Sequence, residues 1–138
     1  MIIRPALKRD LIECGKLGDI PEFELPGGGH IDKKFMENYL DKNFFLVAQE
    51  NSKIIGYIVG EPLKGGGVIV WYMTIKKGNQ GKGFGKKLLT EFEKRCRQNG
   101  RNYIELYGPL SNKKTLRFYE KMKYVRGRTF FEFVKEFK

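Results

Sequence analysis

The sequence predicts one mixed α/β domain covering residues 1–138, and three observations carry that expectation. Apolar runs of strand length alternate with amphipathic stretches of helical spacing. Glycines and prolines collect between these segments and not inside them. Hydrophobic residues make up 41% of the chain and aromatic residues 14%, enough for a core, while no run approaches the ~20 apolar residues of a membrane span.

"MIIRP" (1–5) reads as a short strand. Residues 6–18 follow with Leu7, Leu11, Cys14 and Leu17 on one helical face. "DIPEFELPGGGH" (19–30) holds two prolines and three glycines and is expected to be a loop. Residues 31–43 carry Ile31, Phe35, Met36, Tyr39 and Leu40, the pattern of a second amphipathic helix. "FFLVAQE", the turn "NSK" and "IIGYIVGEPL" predict a hairpin. "KGGG" turns again into a third consecutive strand, "VIVWYMTIKK". Residues 84–100 place Phe84, Leu88, Leu89, Phe92 and Cys96 on one helical face, with Gly100 positioned to end the helix. "NYIELY" is a strand, "GPLSN" a loop, "KKTLRFYEKMK" (113–123) a helix that Ser111 or Asn112 can cap, and "RTFFEFVKEF" (128–137) a closing strand. The order is β-α-α-β-β-β-α-β-α-β. The strand, loop, helix and strand from Val68 to Tyr107 predict a right-handed crossover between parallel strands.

The net charge is +11 and unevenly spread. Residues 1–75 hold nine Lys and Arg against ten Asp and Glu; residues 76–138 hold eighteen against six. A basic half implies an anionic partner such as a phosphate, a nucleic acid or an acidic surface. The start of the chain lacks the apolar core of a secretory signal, so a cytoplasmic protein that does not enter a membrane is expected. Two distant cysteines and one histidine, His30, fall short of the four ligands of a structural zinc site, and no metal is expected. Cys14 and Cys96 each fall on an apolar helix face and are read as buried, reduced thiols.

The basic half opens on "GNQGKGFGKKLL" (78–89), where four glycines and Lys82, Lys86 and Lys87 lead into a helix. A strand, a glycine-rich turn and a helix together make a phosphate cradle. The first helical N–H groups are unsatisfied, the helix dipole favours an anion there, and glycine lets a pyrophosphate approach the backbone. Two familiar cradles fail. A P-loop lacks its first glycine at Gln80 and its Ser/Thr at Lys87, and a G-x-G-x-x-G reading from Gly81 or Gly83 ends on Lys86 or Leu88. The pattern that fits is Q-x-x-G-x-G at Gln80, Gly83 and Gly85.

This pattern resembles the pyrophosphate loop of the GNAT superfamily of N-acetyltransferases, written there [RQ]-x-x-G-x-[GA]. Ile75 ends a strand five residues earlier, as in the family, and "SNKKTLRFYEKMKY" resembles the family's N-x-x-A-x-x-[FL]-Y-x-K-x-G-F. "IIRPALKRDL" resembles its opening strand and helix. Thr115 replaces the usual Ala, Lys123 the usual Gly, Lys77 a frequent Pro, and Gln80 the commoner Arg.

The resemblance implies a GNAT-like central mixed sheet with helices on both faces, acetyl-CoA as donor and a primary amine as acceptor. It implies that backbone groups of Gln80, Gly81, Lys82, Gly83, Phe84, Gly85 and Lys86 hold the pyrophosphate. It further implies a bulged fourth strand whose Met73, Thr74 and Ile75 face the pantetheine arm, with the Met73 N–H as oxyanion donor. Asn112 matches the family's cofactor-contacting asparagine, and its bland alternative is a helix cap. Tyr119 matches the tyrosine that protonates the departing CoA thiolate, and its alternative is a core aromatic. Glu105 resembles a strand glutamate that serves as base, with Glu61, Glu22 and Glu24 as further candidates acting through water. The acidic loop with Asp19, Glu22 and Glu24 is expected to receive a cationic amine, and to be mobile. A monomer or homodimer is expected. Two other readings stay open: a basic nucleic-acid-binding module, and a CoA-binding sensor without turnover.

Overall fold

The computed structural model describes residues 1–137. The chain forms two compact units, Met1–Leu106 and a second that begins at Tyr107.

The first unit is built on a five-stranded sheet whose spatial order equals its chain order: β1 (Ile2–Pro5), β2 (Phe45–Glu50), β3 (Lys53–Pro62), β4 (Gly67–Ile75) and β5 (Tyr103–Leu106). The first four strands pair antiparallel and β4 pairs with β5 in parallel. The predicted hairpin closes through Asn51 and Ser52, which take φ of 50° and 63°. Two successive left-handed residues give the turn whose twist matches the flanking strands. The parallel pair needs a crossover, and helix α3 (Phe84–Gln98) supplies it.

Helices cover both faces of the sheet. Phe45, Val47, Tyr57 and Val59 alternate onto one face with Leu11 and Cys14 of α1 (Leu11–Leu17) and Met36 of α2 (Lys33–Glu37). The residues between them, Leu46, Ala48 and Ile58, are buried on the face that α3 covers with Leu88, Leu89 and Phe92. Gly60 lies directly under Phe92: a Cβ there would sit 2.5 Å from the ring. α3 ends as expected at Gly100 (φ 69°), where Gly100 N–H bonds to Arg97 and Arg101 N–H to Cys96, the paired bonds that close a Schellman turn. Both cysteines are buried thiols on helix faces, and burial pushes them up to about 12 (Cys14) and about 11 (Cys96).

Two helices are shorter than the sequence predicts. Residues 8–10 form a 3₁₀ turn before α1 because Asp10 is committed elsewhere. Its carboxylate accepts the Leu7 N–H at 2.7 Å and both Arg4 guanidinium N–H groups at 2.7 and 2.9 Å, which fastens β1 to α1. The predicted helix over 31–43 shrinks to Lys33–Glu37. The Asn38 side chain bonds back to the Phe35 carbonyl, and the Asp41 carboxylate takes the Asn43 and Phe44 N–H groups, so local polar side chains turn the chain into β2.

In the second unit, α4 (Lys113–Lys121) starts on Asn112, whose side-chain oxygen accepts the Thr115 N–H at 3.1 Å. It ends in a Schellman turn: Tyr124 N–H bonds to Tyr119 and Lys123 N–H to Glu120. Lys123 therefore occupies the position that favours glycine and holds φ at 71°. The expected closing strand does not form. Residues 128–137 have no ladder partner, and a strand exists only as a member of a ladder. Phe131, Phe133 and Phe137 stay almost fully exposed.

Candidate active site

The geometry of β4 sets the site. Its register against β3 shifts between Val70 and Tyr72, so Trp71 is one residue more than β3 can pair. The bulge expected on this strand is thus present, two residues before Met73. β5 pairs with β4 only as far as Val70, opposite Leu106. Beyond that point β4 runs on to Ile75 with its β3 ladder intact and, among the described residues, no strand on the other side.

Which backbone groups meet that open edge follows from the ladder. The Lys76 N–H bonds to the Ile55 carbonyl at 2.6 Å. Alternation then turns the groups of Tyr72 and Thr74 toward β3 and those of Met73 and Ile75 away from it. The Ile75 carbonyl on the open side accepts the Gln80 side-chain amide at 2.9 Å. Gln80 therefore closes the end of the strand with its side chain. The Met73 N–H and C=O and the Ile75 N–H remain along the edge.

The glycine stretch follows at once. A 3₁₀ turn over Lys77–Asn79 leads into Gly81 (φ 77°) and Gly83 (φ 83°), both left-handed, and Gly83 is the N-cap residue of α3. Gly83 contributes no side-chain cap, and the first intrahelical bond runs from the Lys87 N–H to the Gly83 carbonyl at 3.1 Å. The N–H groups just before Lys87 have no carbonyl to meet within the helix. A Cβ built on Gly81 or Gly83 would meet nothing within 4 Å. The loop is thus open in front, bordered by exposed Lys82 and Lys86, and fits a diphosphate.

The face that carries α1 and α2 is aromatic around the bulge. Trp71 and Tyr72 point to it in succession. The Tyr72 ring lies edge-on to Phe23 at 5.2 Å and to Phe35 at 6.1 Å, and Phe35 is 5.7 Å from Tyr39. The Trp71 indole N–H donates to Glu61 at 2.9 Å. Burial raises the Tyr72 and Tyr39 phenols, and the Glu61 carboxylate adds to the rise at Tyr39. The acidic loop is docked here: Phe23 and Leu25 pack on the core, and Leu25 N–H donates to the Gly29 carbonyl at 3.0 Å across the glycine turn. A surface cleft of about 320 Å³ is lined by Asp19, Ile20, Pro21, Glu24, Gly29 and His30, with His30 Nδ1 3.7 Å from Asp19.

The remaining expected residues are placed as follows. Glu105 is an exposed residue of β5 in register with Ile69, whereas Ile104 and Leu106 point the other way. Asn112 caps α4 through its oxygen, which leaves its amide donors for other partners. Tyr119 is half-buried on α4 beside Phe118 (5.4 Å) and Tyr124 (5.9 Å), and burial raises its phenol above the ordinary value of 10. The Trp71–Glu61 pair is not foreseen by the sequence, although two large aromatics in succession break strand alternation and could have marked the bulge.

No curated protein matches the sequence. Solved structures do share the fold. Ard1 from Thermoplasma volcanium superposes with a TM-score of 0.80 at 18% identity, over 92% of this chain and 84% of its own. An aminoglycoside acetyltransferase from an uncultured soil metagenomic sample, in complex with sisomicin, gives 0.75 at 19% identity over 99% and 96%. Rv2747 from Mycobacterium tuberculosis, in complex with CoA and NLQ, gives 0.77 at 13% identity over 93% and 74%. The sequence itself decides the family: the model of the acetyltransferase (GNAT) family matches residues 16–124, and the chain belongs to that family.

Proposed function

We propose that the protein transfers the acetyl group of acetyl-CoA to a primary amine by direct attack of the amine on the thioester. The observation that carries this reading is the continuity of two backbone surfaces in the first unit. The open edge of β4 at Met73 and Ile75 runs straight into the open glycine turn at the start of α3. The N–H groups from Gly81 to Lys86 hold the pyrophosphate, and Lys82 and Lys86 add charge beside it. The edge groups of Met73 and Ile75 receive the pantetheine arm as an added strand would be received, and Thr74, whose backbone groups pair with β3, holds that edge in place. The Met73 N–H stabilises the oxygen of the attacked carbonyl, a preorganised donor worth roughly 3–4 kcal/mol.

Tyr119 donates the proton to the departing thiolate. Its raised phenol keeps the proton at neutral pH, as a general acid requires. Asn112 contributes its amide donors to the cofactor. Glu105 serves as base for the incoming ammonium, with Glu61, Glu22 and Glu24 reaching it through water as alternatives. The single-domain, cytoplasmic assignment belongs to the same reading. Among the described residues no helix is long and apolar enough to cross a membrane.

The test is an acceptor screen with purified protein that reads released CoA thiol. Release that depends on both acetyl-CoA and an amine supports the proposal; none with any amine overturns it. Retention on immobilised CoA that free CoA reverses, with no turnover, would make the protein a CoA-binding sensor. Salt-labile retention on heparin alone would favour the nucleic-acid module that the basic half allows.

A further inference from the structure

We infer that the acceptor carries a second positive charge, and that Glu61 with the Trp71 indole and the Tyr39 ring is its anchor. The inference rests on the acetyl-transfer reading and adds the chemical class of the amine.

Glu61 stands near the end of β3, exposed, on the face of the sheet that bears α1 and α2, because it continues the Tyr57–Val59 alternation. One carboxylate oxygen is taken by the Trp71 indole N–H at 2.9 Å. No lysine or arginine pairs with it among the described residues. Among the same residues Glu22, Glu24 and Glu50 also have no Lys or Arg ion pair, and what sets Glu61 apart is the indole that orients its carboxylate. Trp71 is itself 42% exposed. A large aromatic held at the surface by the bulge offers its face to a cation. Tyr39 lies close enough to feel the Glu61 charge and extends the aromatic surface toward Phe35 and Tyr72.

The position of this anchor relative to the attacked carbonyl gives the acceptor its form. Ile58 of β3 is the partner of Met73, and Glu61 lies three residues further along the same strand. At about 3.3 Å per residue that is roughly 10 Å along the sheet, and Met73 lies a further ~4.8 Å across it, so the two sites are at least about 11 Å apart. That is too far for Glu61 to contact the nitrogen that attacks at Met73, and it suits a second ammonium on the same molecule. The acceptor class is therefore a flexible diamine or longer polyamine, with one nitrogen at the thioester and another over Glu61.

The test compares a series of α,ω-diaminoalkanes with monoaminoalkanes of matched length, reading CoA thiol release. For the wild-type protein kcat/KM should favour the longer diamines by roughly tenfold, the combined effect of one exposed ion pair and one cation–π contact. Glu61→Gln should cut that ratio to roughly threefold, the share left to the cation–π contact, through KM and not through kcat. Trp71→Phe, which keeps a ring but removes the N–H, should lower the ratio only in part. A retained thermal shift with acetyl-CoA shows that each variant is folded and loaded. Equal kcat/KM for diamines and monoamines in the wild type overturns the inference and leaves acetyl transfer standing. A Glu61→Gln protein with lower kcat on both classes and an altered pH profile also overturns it, and makes Glu61 a base. If neither class releases thiol, acetyl transfer to amines falls as well.

Discussion

Replacing Gly83 by Asp separates ligand binding from folding at the glycine turn. Gly83 holds φ at 83° and a Cβ there meets nothing within 4 Å, so the substitution creates no clash in the protein itself. A left-handed non-glycine residue costs about 1 kcal/mol, and Asp tolerates that region better than most. A carboxylate at a helix N-terminus returns ~0.3–1 kcal/mol through the dipole. The net effect on stability should therefore be under about 1 kcal/mol. The effect on a bound diphosphate should be large, because the side chain projects into the open space of the turn and carries negative charge. Acetyl-CoA at a hundredfold excess over Kd stabilises a folded protein by about 2.7 kcal/mol. At roughly 3 °C per kcal/mol for a chain of this length, that is a rise of about 8 °C in Tm. Differential scanning fluorimetry across an acetyl-CoA titration reads both quantities at once. The wild type should rise by about 8 °C, while Gly83→Asp should melt within ~3 °C of the unliganded wild type and not respond to ligand. A folded Gly83→Asp protein with the full ligand shift would refute the placement of the pyrophosphate in this turn.

Tyr119→Phe keeps the ring and removes only the hydroxyl, so kcat should fall ~10²–10⁴ with little change in acetyl-CoA affinity. Because burial raises the Tyr119 phenol above 10, wild-type kcat should not fall with the titration of an ordinary phenol and should decline only at higher pH; a turnover profile over pH 7–11 checks this. Asp10→Ala leaves the Arg4 guanidinium without its main partner and should cost about 2–4 kcal/mol. The Arg4 hydrogen bonds hold the Asp10 carboxyl below its ordinary 3.8, so its contribution is complete above that pH and is lost as pH falls through the folded-state value. Thermal melts between pH 2 and 7 should show a shallower acid loss in the variant, and equal slopes would remove Asp10 from the account. Lys123→Gly relieves a left-handed lysine at the end of α4 and should stabilise that helix by about 1 kcal/mol, read by chemical denaturation.

The order of elements was legible where period and punctuation agreed. Leu88, Leu89, Phe92 and Cys96 repeat at helical spacing up to Gly100, and α3 follows them to the residue before the cap. The hairpin at Asn51–Ser52 was legible because a polar pair separates two apolar runs. Local pattern misled where a side chain had a stronger partner. Asp10 sits inside a helical period, but Arg4 and the Leu7 N–H claim it, and the helix starts after it. Residues 128–137 have the composition of a strand and remain unpaired, because pairing depends on what lies alongside and composition does not record that. The glycine turn was readable as chemistry since an approach of a phosphate to the backbone needs a missing side chain. Glu61 was readable only as one carboxylate among several, since its orientation comes from a residue ten positions away.

One extra residue in β4 accounts for most of what the site can do. Were Trp71 paired in regular register it would stand opposite Val59, and Tyr72 would move opposite Ile58 on the face that α3 covers, beside the Phe92 ring over Gly60. With the bulge, Trp71 and Tyr72 both reach the face of α1 and α2, and the loop that holds Phe23 finds a ring to dock on. A bulge also bends its strand, and β4 leaves β5 at the same point, one residue after their last pair. The aromatic face and the open backbone edge are therefore two consequences of one local irregularity. On the proposed reading, the side chains that would recognise an acceptor and the backbone edge that would receive the donor are both set by the same insertion.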